Sequence, residues 1–316
     1  MSAIGNLLKP IFGVSERDTA FDEADKQAAQ RLKTVIRTVT KGCQITFQSG
    51  GNFGVLVKKL DAFDEELRGF AYEGAGIGLA ALDSFLPWGN RTRAFLDGPG
   101  AEFIYAVPLG AGMGLARLRR KPEKFLARLD PVLGWLIMDG YGFHEGFFAS
   151  KRALQRQEVP SHLSPYARRV FDHGLGRSIW FASSSTNVEH VARTIAGFPA
   201  ARRADLWSGV GLACGYTGGT DEQAIKALKG LVGEYRHHLA MGVAVAANAR
   251  HTVGNASRYV ELACNILCGL SSKEASHMVD LARENLPPDG EVPAYEVWRQ
   301  RLVDQFATAS AREVNP

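Results

Sequence analysis

The chain has 316 residues, 46% of them hydrophobic, and a formal net charge of +4. Its length allows one or two domains with a substantial core. Acids lie among the bases everywhere except the short run Arg117, Arg119, Arg120 and Lys121, which reads as a solvated helix end, so nucleic acid is not an expected partner.

Residues 15–40 carry acids first and bases later, with Phe21, Ala24, Ala28, Leu32, Val35 and Ile36 at helical spacing, the pattern of an amphipathic helix with a favourable dipole. From Cys43 to Val57 the chain is polar and glycine-rich around Gln48-Ser49-Gly50-Gly51-Asn52, which reads as a loop. Beyond Leu60 nearly every segment reads as helix. Breakers stand at Pro87, Asp97 to Gly100, Pro122, Pro160, Pro165, Pro199, Gly218-Gly219 and Gly254, where turns are needed. The longest apolar run, Phe103 to Ala116, contains Pro108 and is too short for a membrane span. Met1 to Val14 lacks the pattern of a signal peptide, so a soluble, cytoplasmic protein is expected. Pro287-Pro288 closes the helical region, and a last amphipathic helix is expected from Tyr295 to Ala309. The resulting organisation is an N-terminal helix and loop (1–59), a helical-repeat domain (60–285), and a C-terminal helix and tail (286–316). Cys43, Cys214, Cys264 and Cys268 form no CxxC pair and read as reduced, buried thiols.

A glycine-centred motif returns six times, at Gly74, Gly110, Gly146, Gly174, Gly209 and Gly242, in steps of 36, 36, 28, 35 and 33 residues. Arg68, Arg168, Arg203 and Arg236 stand six places before it; Phe63, Trp135, Leu163, Phe198 and Leu231 stand eleven before. Such a period predicts an all-α protein of stacked antiparallel helix-hairpin repeats, either a TPR-like solenoid or an α/α toroid. Glycine inside a helix costs about 0.5–1 kcal/mol relative to alanine, and close helix–helix approach is the expected compensation.

In this register the two residues before each glycine are equivalent, and three units place ionisable groups there: Tyr72/Glu73, His144/Glu145 and Asp172/His173. A curved stack would bring Glu73, His144, Glu145, Asp172 and His173 around one cavity, where burial would raise carboxylate pKa values and suit acid–base work. Arg177, one turn beyond His173, is a candidate anion holder, and Tyr72 and Trp207 from the same columns join it as substrate-binding candidates. The alternative is that these are buried ion pairs fixing helix register, each carboxylate bound to an arginine of the preceding column. His144-Glu145 begins like HExxH, but position 148 is Phe148, which removes the second zinc ligand. No metal or other cofactor is expected; the alternative is magnesium on Asp61, Asp64 and Glu65, although a helix start with acids near its positive end explains that cluster more simply. No P-loop, nucleophile elbow or strand-borne GxGxxG is present.

The segments Arg68 to Gly74, Asp139 to Phe148, Gly174 to Phe181 and Asp205 to Leu212 together resemble the domain-of-unknown-function family 1702, over about Leu60 to Ser271. Members of that family are associated with enediyne antibiotic gene clusters and are often labelled enediyne biosynthesis proteins. The resemblance implies a role in maturing a secondary metabolite, a polyene made by an iterative polyketide synthase, alongside other pathway proteins; it supplies no catalytic residues. Joined to the residue pattern, it suggests a cofactor-independent cyclase or isomerase acting on a hydrophobic polyene, with Glu145 and Asp172 in acid–base roles and His144, His173 and Arg177 supporting them. Two other readings stand beside it: a terpene-cyclase-like enzyme using magnesium on a prenyl diphosphate, and a non-catalytic scaffold or carrier.

Overall fold

Helix-forming runs broken by proline and glycine become helices throughout. The computed structural model describes residues 12–13, 25–86 and 89–314, and no strand occurs among them. Long helices alternate with short ones: α1 (Lys26–Gln48), α2 (Phe53–Leu60), α3 (Glu65–Phe85), α4 (Arg91–Leu96), α5 (Ala106–Arg117), α6 (Glu123–Leu126), α7 (Leu136–Phe148), α8 (Pro165–Ala182), α9 (Val188–Ala196), α10 (Ala200–Thr217), α11 (Glu222–Leu231) and α12 (Arg236–Thr252). Three more, α13 (Arg258–Ala263), α14 (Ser272–Arg283) and α15 (Ala294–Val314), complete the chain. Two layers follow from how each kind is buried. Helix α3 is buried without interruption from Gly69 to Asp83, as a helix enclosed on all sides must be. By contrast α9 buries only Val188, Val191 and Ile195, and α11 only Ile225 and Leu228. The long helices therefore form an inner row, each packed on the next in the order α1, α3, α5, α7, α8, α10, α12.

The glycines make that row possible. Residues two apart on a helix of about 3.6 residues per turn lie on roughly opposite faces, so Gly-x-Gly opens both sides of one helix. A Cβ on Gly110 would stand 1.7 Å from the Glu73 carbonyl oxygen of α3, and one on Gly112 would stand 2.0 Å from that of Ile137 in α7. The same two-sided contact recurs at Gly74/Gly76, Gly140/Gly142, Gly174/Gly176 and Gly209/Gly211. Backbone meets backbone, leaving room for Cα–H···O contacts and no side chain. Because Gly110 meets Glu73 and Gly114 meets Ile77, contacts advance together along both helices, which therefore run parallel; the short helices and loops return the chain.

Three expectations change. The third repeat is centred on Gly140-Tyr141-Gly142, not Gly146, whose Cβ would meet the Ser178 and Leu175 side chains instead of a neighbouring backbone. The stretch Cys43 to Val57 is not a loop: α1 continues to Gln48, where Gly42 lies against the Ala71 carbonyl, and α2 begins at Phe53. Only the left-handed pair Gly50-Gly51 turns the chain there, with the Asn52 side chain capping α2. The last helix runs further than Ala309, to Val314. The expected start of the first helix, at 15–24, lies outside the described residues.

Two sequence columns acquire a physical role, since Arg168 Nε donates to the Leu163 carbonyl (3.0 Å) and Arg203 Nε to the Phe198 carbonyl (2.8 Å). Each arginine closes the turn entering its long helix. The row is curled: Arg177 of α8 reaches Glu73 of α3, and the Tyr105 hydroxyl donates to Asn248 Oδ1 of α12 at 2.6 Å. All four cysteines are free, three buried and Cys268 partly so.

Candidate functional site

With the third repeat centred on Gly140, the residues before the first glycine of the α3, α7 and α8 units are Glu73, Asp139 and His173, and the fold brings them together. Arg177 Nη1 donates to Asp139 Oδ1 (2.7 Å) and its Nη2 to Glu73 Oε1 (3.2 Å). The other Asp139 oxygen meets His173 Nδ1, and the guanidinium lies 4.9 Å above the Phe143 ring. Burial would push Asp139 up, but Arg177 and His173 outweigh it and hold this carboxyl below its ordinary range. For Glu73 burial prevails over Arg177, and its pKa is raised, with Asp139 adding to the rise. Burial likewise opposes the charge on Arg177, but Asp139 and Glu73 more than restore it. Asp139 lies six residues from the position that centring the unit on Gly146 points to; the Gly140-Tyr141-Gly142 triplet is its signal.

Asp172 turns elsewhere. Both its oxygens accept from Arg202 of α10, Nε at 2.8 Å, and the same arginine donates to the Gln157 carbonyl at 3.0 Å. Burial raises the Asp172 pKa despite Arg202. The carboxylates thus pair with Arg177, Arg202 and Arg152, not with the arginine column six places before each glycine. Tyr72 gives its hydroxyl to Asp61 Oδ1 (2.9 Å) and stacks on Phe103. Trp207 is buried within α10.

A narrow apolar cleft of about 720 Å³, its mouth included, opens between α1, α3, α5, α7 and α8. Aromatic and aliphatic side chains such as Phe70, Ile77, Met113, Phe143, Phe147 and Phe181 line it, with Glu73 and Arg177 at its inner side. Cys43 also faces it, but burial pushes this thiol up, so it stays protonated and presents a small, soft surface. A larger polar pocket, about 1670 Å³ with its mouth, adjoins the cleft; Arg117, His144 and Phe148 line both. His144 and Arg117 pack against the Phe148 ring at 4.9 and 5.3 Å, forming the partition.

His144 is 7% exposed, yet neither of its ring nitrogens makes a hydrogen bond. Its Nδ1 stands 3.5 Å from Glu145 Oε1, an electrostatic contact only. Glu145 pairs with Arg152 and lines the polar pocket. Burial alone would raise its pKa, but His144 and Arg152 prevail and hold it below the usual carboxylate range. The candidates therefore divide into three groups: Glu73, His173 and Arg177 in the buried cluster, His144 and Glu145 at the partition, and Asp172 apart on its arginine.

The DUF1702 family model matches residues 7–306. The chain belongs to the DUF1702 family of proteins of unknown function, which is associated by name with enediyne biosynthesis proteins. No curated protein and no solved structure matches it. In this DUF1702 protein the acids of the alternative magnesium cluster sit at helix ends: Asp64 Oδ1 accepts from the Glu66 amide at 3.0 Å, Asp61 accepts from the Tyr72 hydroxyl, and Glu65 lies in the first turn of α3. Among the described residues no group of three His, Cys, Asp or Glu side chains is placed to hold a metal ion, and no helix is long and apolar enough to cross a membrane.

Proposed function

We propose that this protein acts in secondary-metabolite biosynthesis, binding a hydrophobic polyene in the apolar cleft and moving a proton at the His144–Glu145 end to isomerise or cyclise it. Family membership supports the biosynthetic setting. The observation that carries the chemistry is His144: a buried imidazole whose two nitrogens make no hydrogen bond is costly to keep, and it stands where an apolar ligand would meet a carboxylate held ionised. Glu145 serves as base, and His144 relays or returns the proton. The curled row is read as the frame of an α/α toroid-like repeat, whose inner helices form the cleft wall.

Asp172 provides an internal comparison because its carboxylate, paired with Arg202, lines neither the cleft nor the polar pocket. In a deletion strain complemented with variants, Glu145→Gln is expected to cost only the small stability of its pair with the half-exposed Arg152 and to reduce product by about 10²- to 10⁴-fold, the usual loss for one positioned proton-transfer group. Asp172→Asn removes a charge that burial already disfavours and is expected to move melting temperature and product together and by little. Mass spectrometry of the accumulated metabolites reads the outcome, and full product from a stable Glu145→Gln protein would leave only a carrier.

A further inference from the structure

The polar pocket beyond the Phe148 partition is larger than the cleft and differs from it in chemistry. Three guanidiniums, Arg117, Arg119 and Arg152, face two carboxylates, Glu145 and Glu158; Arg152 pairs with Glu145 and Arg156, outside the wall, with Glu158, so positive charge exceeds negative there before the histidines are counted. Both of those histidines show buried nitrogens without hydrogen bonds, Nδ1 and Nε2 on His144 and Nε2 on His162. Each imidazole carries at least one N–H, and unbonded N–H groups beside excess positive charge suit an anion that brings its own acceptor oxygens. An excess of this size suits one carboxylate, whereas the bulk and charge of a diphosphate would crowd Glu145.

We infer that the pocket receives the carboxylate of a long, otherwise apolar chain whose tail lies in the cleft, so that the substrate class is a polyunsaturated monocarboxylic acid. This rests on the reading of the cleft as the ligand site and adds the head group. The chain crosses the partition beside Phe148, which brings the carbons next to its carboxylate to His144 and Glu145. Arg119 is exposed, as is Arg152, but Arg152 is committed to Glu145; Arg119 has a left-handed backbone, φ 54, a conformation asparagine tolerates.

The test is fluorescence titration of the full chain with cis-parinaric acid, a conjugated C18 acid that brightens in apolar surroundings, and with its methyl ester, at about pH 8, well above the ordinary carboxylate pKa of roughly 4. The acid is expected to bind about 10-fold or more tightly than the ester, the scale of a charge-assisted hydrogen bond. Arg119→Asn combined with His162→Gln is expected to abolish that preference while leaving ester binding unchanged. Equal affinity for acid and ester, or a preference that survives in the double variant, would overturn the carboxylate site and leave the cleft reading standing. Farnesyl diphosphate displacing the acid more strongly than unlabelled linolenic acid would overturn it in favour of a diphosphate. Binding of neither probe would overturn the cleft reading and this inference with it.

Discussion

Arg177 is shared by two buried carboxylates, Asp139 and Glu73, and the two are not equivalent. Asp139 accepts from both Arg177 and His173 and is held below its ordinary pKa, whereas Glu73 makes one longer bond and is pushed above it by burial. Breaking a buried pair by removing the better-held partner typically costs about 3–5 kcal/mol. Asp139→Asn should therefore lose stability on that scale in urea unfolding, while Glu73→Gln, which removes a charge the site already disfavours, should lose far less. Equal losses would show that the two share Arg177 evenly. In the sequence Glu73, His173 and Arg177 are legible as a group because glycine spacing aligns the Gly74 and Gly174 units. Asp139 is not, since Gly146 has the same local look as Gly142 and only packing distinguishes a glycine meeting backbone from one meeting a serine side chain.

At the scale of the helix, glycine decides how near two backbones come. A Cβ at position 209 would stand 1.8 Å from the His173 carbonyl oxygen and 3.0 Å from the Arg177 amide, both backbone atoms that cannot turn aside. Gly209→Ala should thus force α8 and α10 apart and cost about 1–3 kcal/mol, the range of an overpacked contact. Gly230, on exposed α11 with nothing within 4 Å of its would-be Cβ, is the control: alanine there should be neutral or stabilising by up to about 1 kcal/mol. Thermal unfolding of both variants checks this, and similar melting temperatures would refute backbone contact as the role of the glycines. The same physics explains what the sequence hid at the N-terminal end. Gly42 opens α1 toward α3 as the later glycines do, but without a second glycine or an arginine column its helix ended too early in the reading. Polar residues at Gln48 to Asn52 marked a real turn; extending it back to Cys43 and on to Val57 mistook one turn for a loop.

Across the whole molecule, ion pairs between distant segments tie the last helix to the row. Arg299 of α15 donates to Asp205 Oδ1 of α10 at 2.7 Å across 94 residues of sequence, while Arg169 of α8 holds Oδ2 at 3.0 Å. A helical period made α15 legible as a helix, but nothing local could reveal this docking. These pairs set the acid response, with two groups of carboxylates acting in opposite directions. Glu73 and Asp172 have folded pKa values above their unfolded ones, so the folded chain binds their protons more tightly, and lowering the pH through those raised values adds stability. Asp139, Glu145 and Asp205 have folded values below the unfolded ones; their stabilisation is complete above the ordinary carboxylate range of roughly 4 and is lost as pH falls through the lower folded values. For Asp205 the cause is Arg299 and Arg169 outweighing its burial. The melting temperature should accordingly stay level or rise slightly from about pH 7 to about pH 5 and fall steeply below about pH 4. Asp205→Asn should lower the neutral-pH melting temperature and flatten the acid fall, because the variant has no such proton to take up. A wild-type profile that declines steadily from neutral pH would contradict the raised Glu73 and Asp172, and an Asp205→Asn profile parallel to wild type would remove Asp205 as the source of the acid limb.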